Sequence, residues 1–202
     1  RARELCDTYR VHLIADEIAV GCGRTGSFFA CEQAGIWPDM MCLSKGISGG
    51  YLPLSLVLST DAIYDCFYDD DVHRGFLHSH SYTGNPLACR AALATLDIFK
   101  TDDVINANKT RAKLLGDATR EAFGALPAVR HLRQRGMIIA FDVDTAERDF
   151  SQRFFAAGLD QGVLLRPIGN TVYFMPPYIV EADDIAHLVG GAAAALKHCI
   201  GG

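Results

Sequence analysis

Short apolar runs bounded by polar or turn-forming residues dominate the first half of the chain. Residues 11–18, 40–45 and 54–59 are runs of this kind, and each predicts a buried β-strand. Residues 28–34 predict a short helix between the first two strands, ending near Gly35. Strands that alternate with helical segments are typical of an α/β fold.

The helical pattern becomes stronger after residue 84. Asn85 is a suitable N-cap and Pro86 a suitable first helical residue, which predicts a helix through about Phe99. The composition changes after Lys100, and residues 101–103 are expected to cap an amphipathic helix that ends near Phe123.

The remaining segments continue an α+β alternation. Strands are predicted at residues 137–143, 163–166 and 172–175, and helices at residues 150–159 and 182–197. We therefore predict two domains, residues 1–100 and 101–202.

Two charged residues close the first two predicted strands. Asp16 lies near the end of the first strand and Lys45 at the end of the second. The segment between them is long enough for a crossover to a neighbouring strand, so both should lie at one edge of a mainly parallel sheet, where α/β folds bind ligands. Gly46, Gly49 and Gly50 leave space beside the amine.

A carboxylate and an amine in this arrangement suit pyridoxal 5'-phosphate (PLP). Lysine forms a Schiff base with the aldehyde, and an acidic partner keeps the pyridine nitrogen protonated so that the ring withdraws electrons. Considered alone, each residue has an alternative interpretation. Asp16 at a strand end is also typical of a turn or a helix cap, and Lys45 is also typical of a solvated surface charge.

A third charged residue ends a predicted strand in the second half of the chain. Arg166 closes the run at residues 163–166, where a guanidinium would bind a carboxylate with two hydrogen bonds. An interdomain salt bridge is the alternative.

Two loops have features of ligand-binding sites. Residues 76–84 are rich in hydroxyl groups and precede a helix N-terminus, which suits a phosphate, although simple capping is the favoured interpretation. His78 and His80 have no further ligand nearby, so no metal is expected. The glycine-rich loop at residues 21–26 lacks the spacing of a P-loop or dinucleotide motif, which argues against a nucleotide-binding oxidoreductase.

Composition narrows the range of partners and compartments. The 202 residues carry a net charge of −5, which gives no reason to expect nucleic acid or an anionic membrane as partner. No apolar run approaches the roughly 20 residues that span a bilayer. Seven cysteines without a CxxC motif indicate thiols in a reducing compartment, and we expect a cytoplasmic protein. Residues 1–6 look like the middle or end of a helix, which suggests a fragment of a longer protein.

Together these motifs resemble the class III, fold-type I PLP-dependent aminotransferases. Asp16-Glu17-Ile18, Gly23-Arg24-Thr25-Gly26 and Ser44-Lys45-Gly46 match the family's motifs. The resemblance covers essentially the whole chain, as the C-terminal half of such an enzyme. It implies that residues 1–100 belong to the large PLP-binding domain and residues 101–202 form the small C-terminal domain.

Further segments resemble the branch of the family that acts in biotin synthesis. They are residues 28–32, 49–55, 78–89, 166–170 and 173–178. This branch aminates 8-amino-7-oxononanoate to 7,8-diaminononanoate in a ping-pong reaction. The resemblance implies S-adenosylmethionine as amino donor, although some relatives use lysine.

The resemblance also implies cofactor-binding roles. Asp16 would pair with the pyridinium nitrogen, and Ile18 would pack on a face of the ring. Lys45 would hold PLP covalently and later move a proton. Ser81 stands where the family often has threonine, and its hydroxyl would reach the cofactor phosphate of the partner subunit in a homodimer.

Substrate-binding roles follow from the same resemblance. Arg166 would bind the carboxylate of the keto-acid substrate, while Arg24 and Ser79 would contribute on the substrate side. One alternative is another class III enzyme, such as a 4-aminobutyrate or ω-amino acid–pyruvate aminotransferase. A second is a non-catalytic α/β scaffold in which Lys45 is only a loop residue.

Overall fold

The structure is a computed structural model that describes residues 1–200, and the chain forms two compact units. The first unit is Arg1–Val104, and the second begins at Ile105. The assignment of residues 1–100 and 101–202 to the large and small domains of the family stays a prediction. Within residues 1–200, no helix combines the length and the apolar character needed to cross a bilayer.

The first unit combines a small sheet with three α-helices and three short 3₁₀ helices. The strands are β1 (Ile14–Asp16), β2 (Met40–Leu43) and β3 (Leu56–Ser59). The helices are α1 (Ala2–Tyr9), α2 (Asp61–Tyr64) and α3 (Pro86–Thr101). The 3₁₀ helices are Ala30–Ala34, Lys45–Ser48 and Val72–Arg74.

The sheet of the first unit has the order β1-β2-β3. Strand β1 runs parallel to β2, with Asp16 opposite Cys42, and β3 runs antiparallel to β2. Within residues 1–200 the sheet thus contains one parallel and one antiparallel pairing. The strand predicted at residues 11–18 is shorter than expected, because the Leu13 N–H donates to the Asp39 carboxylate at 2.6 Å instead of to a neighbouring strand.

Helix α3 begins as predicted. The Asn85 Oδ1 atom accepts hydrogen bonds from the N–H groups of Leu87 and Ala88, and Pro86 occupies the first helical position. The helix continues to Thr101, so the prediction that Thr101 caps the next helix is wrong.

The second unit is an antiparallel sheet packed with helices. Its strands are β4 (Val129–Arg135), β5 (Ile138–Val143) and β6 (Thr171–Phe174), in the order β4-β5-β6. Its helices are α4 (Val104–Phe123), whose first residue belongs to the first unit, α5 (Phe150–Asp160) and α6 (Ala182–Ile200).

Aromatic side chains fill the core of the second unit. Phe123, Phe141 and Phe174 are fully buried, and the rings of Phe123 and Phe141 stack with centroids 4.5 Å apart. Phe150 and Phe154 of α5 belong to the same core. The amphipathic pattern of α4, α5 and α6 arises because each helix buries one apolar face against this cluster.

Two segments of the second unit differ from the sequence prediction. Residues 163–166 form no strand. Val163 and Leu165 are buried, but the segment pairs with no strand among residues 1–200, and Pro167 lacks an N–H to continue a ladder. Strand β4 was not predicted, because a bulge between Arg130 and Arg133 interrupts the apolar alternation; His131 lies there with φ of 49°.

A network of polar side chains joins the three strands of this sheet. The Asp142 carboxylate accepts two hydrogen bonds from Arg133, both at 3.1 Å. It accepts a third from the Thr171 hydroxyl at 2.8 Å, and a fourth, at 3.0 Å, when His131 Nδ1 is the donor. Arg133, then Thr171 and His131, lower the pKa of Asp142 to about 2. The ionised carboxylate therefore stabilises the folded sheet.

Replacement of Asp142 by Asn should destabilise the second unit by about 1 kcal/mol at neutral pH. Since the pKa of Asp142 is lower in the folded state, its contribution is present above the ordinary aspartate pKa and is lost as the pH falls through about 2. The difference between wild type and Asp142→Asn in denaturant unfolding should thus shrink between about pH 4 and about pH 2.

The matched control is Asp144→Asn, because within residues 1–200 the exposed Asp144 side chain makes only a long ion pair, with Arg130 at 3.6 Å. This variant should change the unfolding free energy little at any pH. An Asp142→Asn difference that is constant over the acidic range would contradict the assignment.

Candidate active site

The structure places Asp16 and Lys45 at the same edge of the first sheet. Asp16 is the last residue of β1, and Lys45 follows the last residue of β2 by two positions. Because β1 and β2 are parallel, both positions lie at the carboxyl end of their strands. The prediction of a shared edge is confirmed.

Both side chains are accessible and are not paired with each other. Asp16 is exposed, and its Oδ1 atom accepts a hydrogen bond from the Ile18 N–H at 3.0 Å. Lys45 is exposed, and its amine forms no hydrogen bond or ion pair within residues 1–200. An amine free for an aldehyde and a carboxylate available to a pyridinium N–H are the donor set that PLP requires, so these residues fit the cofactor.

The short 3₁₀ helix Lys45–Ser48, called the lysine turn below, is strained and firmly anchored. Lys45 has φ of 48°, in the left-handed region that non-glycine residues rarely adopt. The Ser44 hydroxyl donates to the Leu54 carbonyl at 2.7 Å, and the Ser48 hydroxyl donates to the Leu52 carbonyl at 2.6 Å. These two hydrogen bonds fix both ends of the lysine turn.

Apolar packing holds the same turn from the other side. Ile47 is 3% exposed and belongs to a small core with Cys22 and Ala92 of α3. Small residues on α3 allow the helix to approach the turn closely, and a Cβ added at Gly49 would lie 3.2 Å from the Thr95 Oγ1 atom. Serine and glycine at these positions are therefore structural requirements of the turn.

The loop after β1 packs beside the lysine turn. A Cβ added at Gly46 would lie 2.9 Å from the Cys22 Cβ atom, so only glycine fits at that position. Burial, with a smaller effect of the Glu17 carboxylate, raises the pKa of the Cys22 thiol. The same two causes, in the same order, raise the pKa of the Cys31 thiol. Both thiols therefore stay protonated and serve as packing groups.

Glu17 has a structural role that the sequence motifs did not predict. This residue is 3% exposed, and its carboxylate accepts hydrogen bonds from the N–H groups of Ala30 and Cys31, both at 2.8 Å. The available signal was a second carboxylate in a predicted buried strand, between Asp16 and Ile18, because such a carboxylate stays buried only when donors surround it.

The other predicted site residues of the first unit lie in loops. Ile18 is half-buried in the turn after Asp16, and Arg24 is partly buried in the loop that follows. Ser79 and Ser81 are exposed and form no hydrogen bonds within residues 1–200. The Ile18 N–H contacts the Asp16 carboxylate, but the site roles of Ile18, Arg24, Ser79 and Ser81 stay predictions.

Arg166 lies in the second unit. Its side chain is exposed and makes no ion pair within residues 1–200, which leaves the guanidinium available to a ligand. It lines a groove of about 600 Å³ together with Tyr173 and His187. Its role in binding the substrate carboxylate stays a prediction.

A comparison with protein families identifies the class of protein. The family model "Aminotransferase class-III" matches residues 1–196. The chain therefore belongs to the class III aminotransferase family. Enzymes of this family depend on PLP.

Individual relatives agree with this assignment. The chain is 49% identical over 193 residues to the adenosylmethionine-8-amino-7-oxononanoate aminotransferase of Helicobacter pylori, covering 93% of this chain and 44% of the relative. The crystal structure of the enzyme of that name from Methanocaldococcus jannaschii superposes with a TM-score of 0.89 at 34% identity, covering 96% of this chain and 48% of the other.

A third relative is described with its cofactor. The PLP-bound (internal aldimine) form of an amine transaminase from an uncultivated Pseudomonas species has a TM-score of 0.88 at 33% identity, covering 98% of this chain and 47% of the other. The chain spans about half the length of the relatives that it matches.

The contact between Gly46 and Cys22 can be tested by substitution. Gly46→Ala should lower the free energy of unfolding by about 1–3 kcal/mol, because the new methyl group would overlap the Cys22 side chain. Adding Cys22→Gly should recover part of this loss in the double variant, since Cys22 has φ of 54°, which glycine adopts easily. Denaturant unfolding of all three variants measures the coupling.

The control for this experiment is Gly190→Ala in α6. Nothing lies within 4 Å of an added Cβ there, so alanine should stabilise the helix by about 0.5–1 kcal/mol. Strictly additive effects of Gly46→Ala and Cys22→Gly would show that the two residues do not touch.

Proposed function

We propose that the full-length protein containing this chain is a PLP-dependent aminotransferase of biotin synthesis that converts 8-amino-7-oxononanoate to 7,8-diaminononanoate. The observation that carries the proposal is the placement of an accessible carboxylate, Asp16, and an unpaired amine, Lys45, at one sheet edge. The names of the relatives from Helicobacter pylori and Methanocaldococcus jannaschii support the choice of substrate.

The proposed cofactor site uses four residues of this chain. Asp16 would accept a hydrogen bond from the pyridinium nitrogen, Ile18 would pack against the ring, and Lys45 would bind the cofactor covalently. Ser81 would donate its hydroxyl to the cofactor phosphate of the partner subunit. When bound, PLP supplies an electron sink for the carbanion that forms at the substrate carbon.

Lys45 has a second proposed role as the base. Its Nζ amine, once released from the cofactor, would remove the proton from the substrate carbon and deliver it to the cofactor, which is the 1,3-transfer that a transamination requires. The anchored turn at Lys45–Ser48 supports this role, because a base must be held within hydrogen-bond reach of its proton.

The substrate side of the site is assigned to three residues. Arg166 would bind the carboxylate of 8-amino-7-oxononanoate with two hydrogen bonds, which its exposed and unpaired guanidinium permits. Arg24 and Ser79 would order the entrance. S-adenosylmethionine is the proposed amino donor, with lysine as the other candidate.

The proposal extends to assembly and location. We propose a homodimer, because the role assigned to Ser81 requires a cofactor in a neighbouring subunit. We also propose a cytoplasmic enzyme, and the seven cysteines, which form no disulfide within residues 1–200, support a reducing compartment.

The proposal is tested with donor and acceptor panels on the full-length protein. We expect amination of 8-amino-7-oxononanoate, fastest with S-adenosylmethionine as donor. Turnover should fall by about 100-fold or more in Asp16→Asn, because an amide holds the pyridine nitrogen protonated far less effectively than a carboxylate.

The similarity to an amine transaminase supplies the competing activity. Turnover of 4-aminobutyrate or simple amines, with none of 8-amino-7-oxononanoate, would contradict the proposed substrate and retain the class. Turnover of no amino donor would favour the scaffold interpretation.

A further inference from the structure

Glu17 is a buried carboxylate directly after the proposed pyridinium partner Asp16. Burial of a carboxylate is costly unless donors replace its water. Each oxygen of Glu17 accepts one backbone N–H, Oε2 from Ala30 and Oε1 from Cys31, both at 2.8 Å. These N–H groups belong to the start of the 3₁₀ helix Ala30–Ala34, where intrahelical partners are lacking.

The backbone of Glu17 links the same point to the sheet and to the glycine loop. Its N–H donates to the Cys42 carbonyl of β2 at 3.0 Å, and its carbonyl accepts from the Gly21 N–H at 2.9 Å. A Cβ added at Gly21 would lie 2.7 Å from the Glu17 carbonyl oxygen, so the turn closes tightly around this residue.

The loop fixed by Glu17 reaches the lysine turn. Cys22 follows Gly21 directly and lies against Gly46, the neighbour of Lys45. Three structural parts therefore meet through Glu17: the strand that precedes Lys45, the loop that packs on Gly46, and the 3₁₀ helix Ala30–Ala34. Asp16 directly precedes Glu17, so a movement of Glu17 would also move the Asp16 carboxylate.

We infer that Glu17 is a positioning residue of the proposed PLP site. Its carboxylate holds the segment at residues 21–31 against the lysine turn and so fixes the Asp16 carboxylate relative to the Lys45 amine. This inference rests on the proposed function, because that function gives the separation of the two groups its meaning.

The test compares Glu17→Gln with Glu32→Gln in the full-length protein. Glutamine keeps the size of the side chain but replaces one acceptor oxygen with an NH₂ donor, so one of the two N–H groups loses its partner. Glu32 is a matched control, because it is an exposed glutamate of the same 3₁₀ helix whose Oε1 accepts from the Phe29 N–H at 2.9 Å.

Three measurements separate positioning from simple stabilisation: hydrogen exchange, an absorbance titration and steady-state kinetics. Hydrogen exchange of a peptide covering residues 28–34 should be faster in Glu17→Gln. The pH dependence of the visible absorbance of the PLP-loaded protein should also shift, and kcat should fall by about 10- to 100-fold with KM little changed. Glu32→Gln should match wild type in the absorbance titration and in kcat.

Each outcome decides the matter. Faster exchange in Glu17→Gln with an absorbance titration identical to wild type would show a purely structural role and overturn the inference alone. A wild-type protein without PLP absorbance would overturn the proposed function and, with it, the inference. If Glu17→Gln does not fold, Glu17→Asp makes the same comparison, because it keeps the charge but withdraws the carboxylate by one methylene.

Discussion

The parallel pairing of β1 with β2 is the constraint on which the candidate site depends. It aligns Asp16 with Cys42 and so brings a carboxylate and Lys45 to the same edge, although the two residues are far apart in sequence. An antiparallel pairing would place them at opposite ends of the sheet. Since parallel strands require a crossover, the intervening loop and 3₁₀ helix are part of the site's construction. Glu17 ties that crossover back to the strand from which it leaves.

The lysine turn shows how the fold bears the energetic cost of an unusual backbone conformation. A left-handed lysine costs of order 1–3 kcal/mol unless its surroundings over-determine it. Here the hydroxyls of Ser44 and Ser48 bind neighbouring carbonyls, and Ile47 packs under the turn. The amine itself has no partner within residues 1–200. A rigid base beneath a free functional group is the arrangement expected of a site built for covalent chemistry.

The sequence was sufficient where one local signal determined the structure. Asn85-Pro86 set the start of α3, and the apolar runs that end near Asp16 and Lys45 correctly predicted their shared edge. It was insufficient where tertiary contacts decide. The bulge at His131 interrupts the alternation that would have predicted strand β4. Residues 163–166 have the sequence pattern of a strand but pair with no strand among residues 1–200. A carboxylate in a predicted buried strand draws attention to Glu17, but its partners are N–H groups of a segment that folds back, and the local sequence does not identify them.

The most direct test of the account is borohydride reduction of the full-length protein after incubation with PLP, followed by peptide mass spectrometry. We expect a pyridoxyl adduct on Lys45, while Lys100, another exposed lysine of the same unit, stays unmodified. Asp16→Asn provides a variant with the amine intact and the carboxylate removed. An unmodified Lys45 in the folded, PLP-supplied protein would contradict the assignment of this sheet edge as the cofactor site.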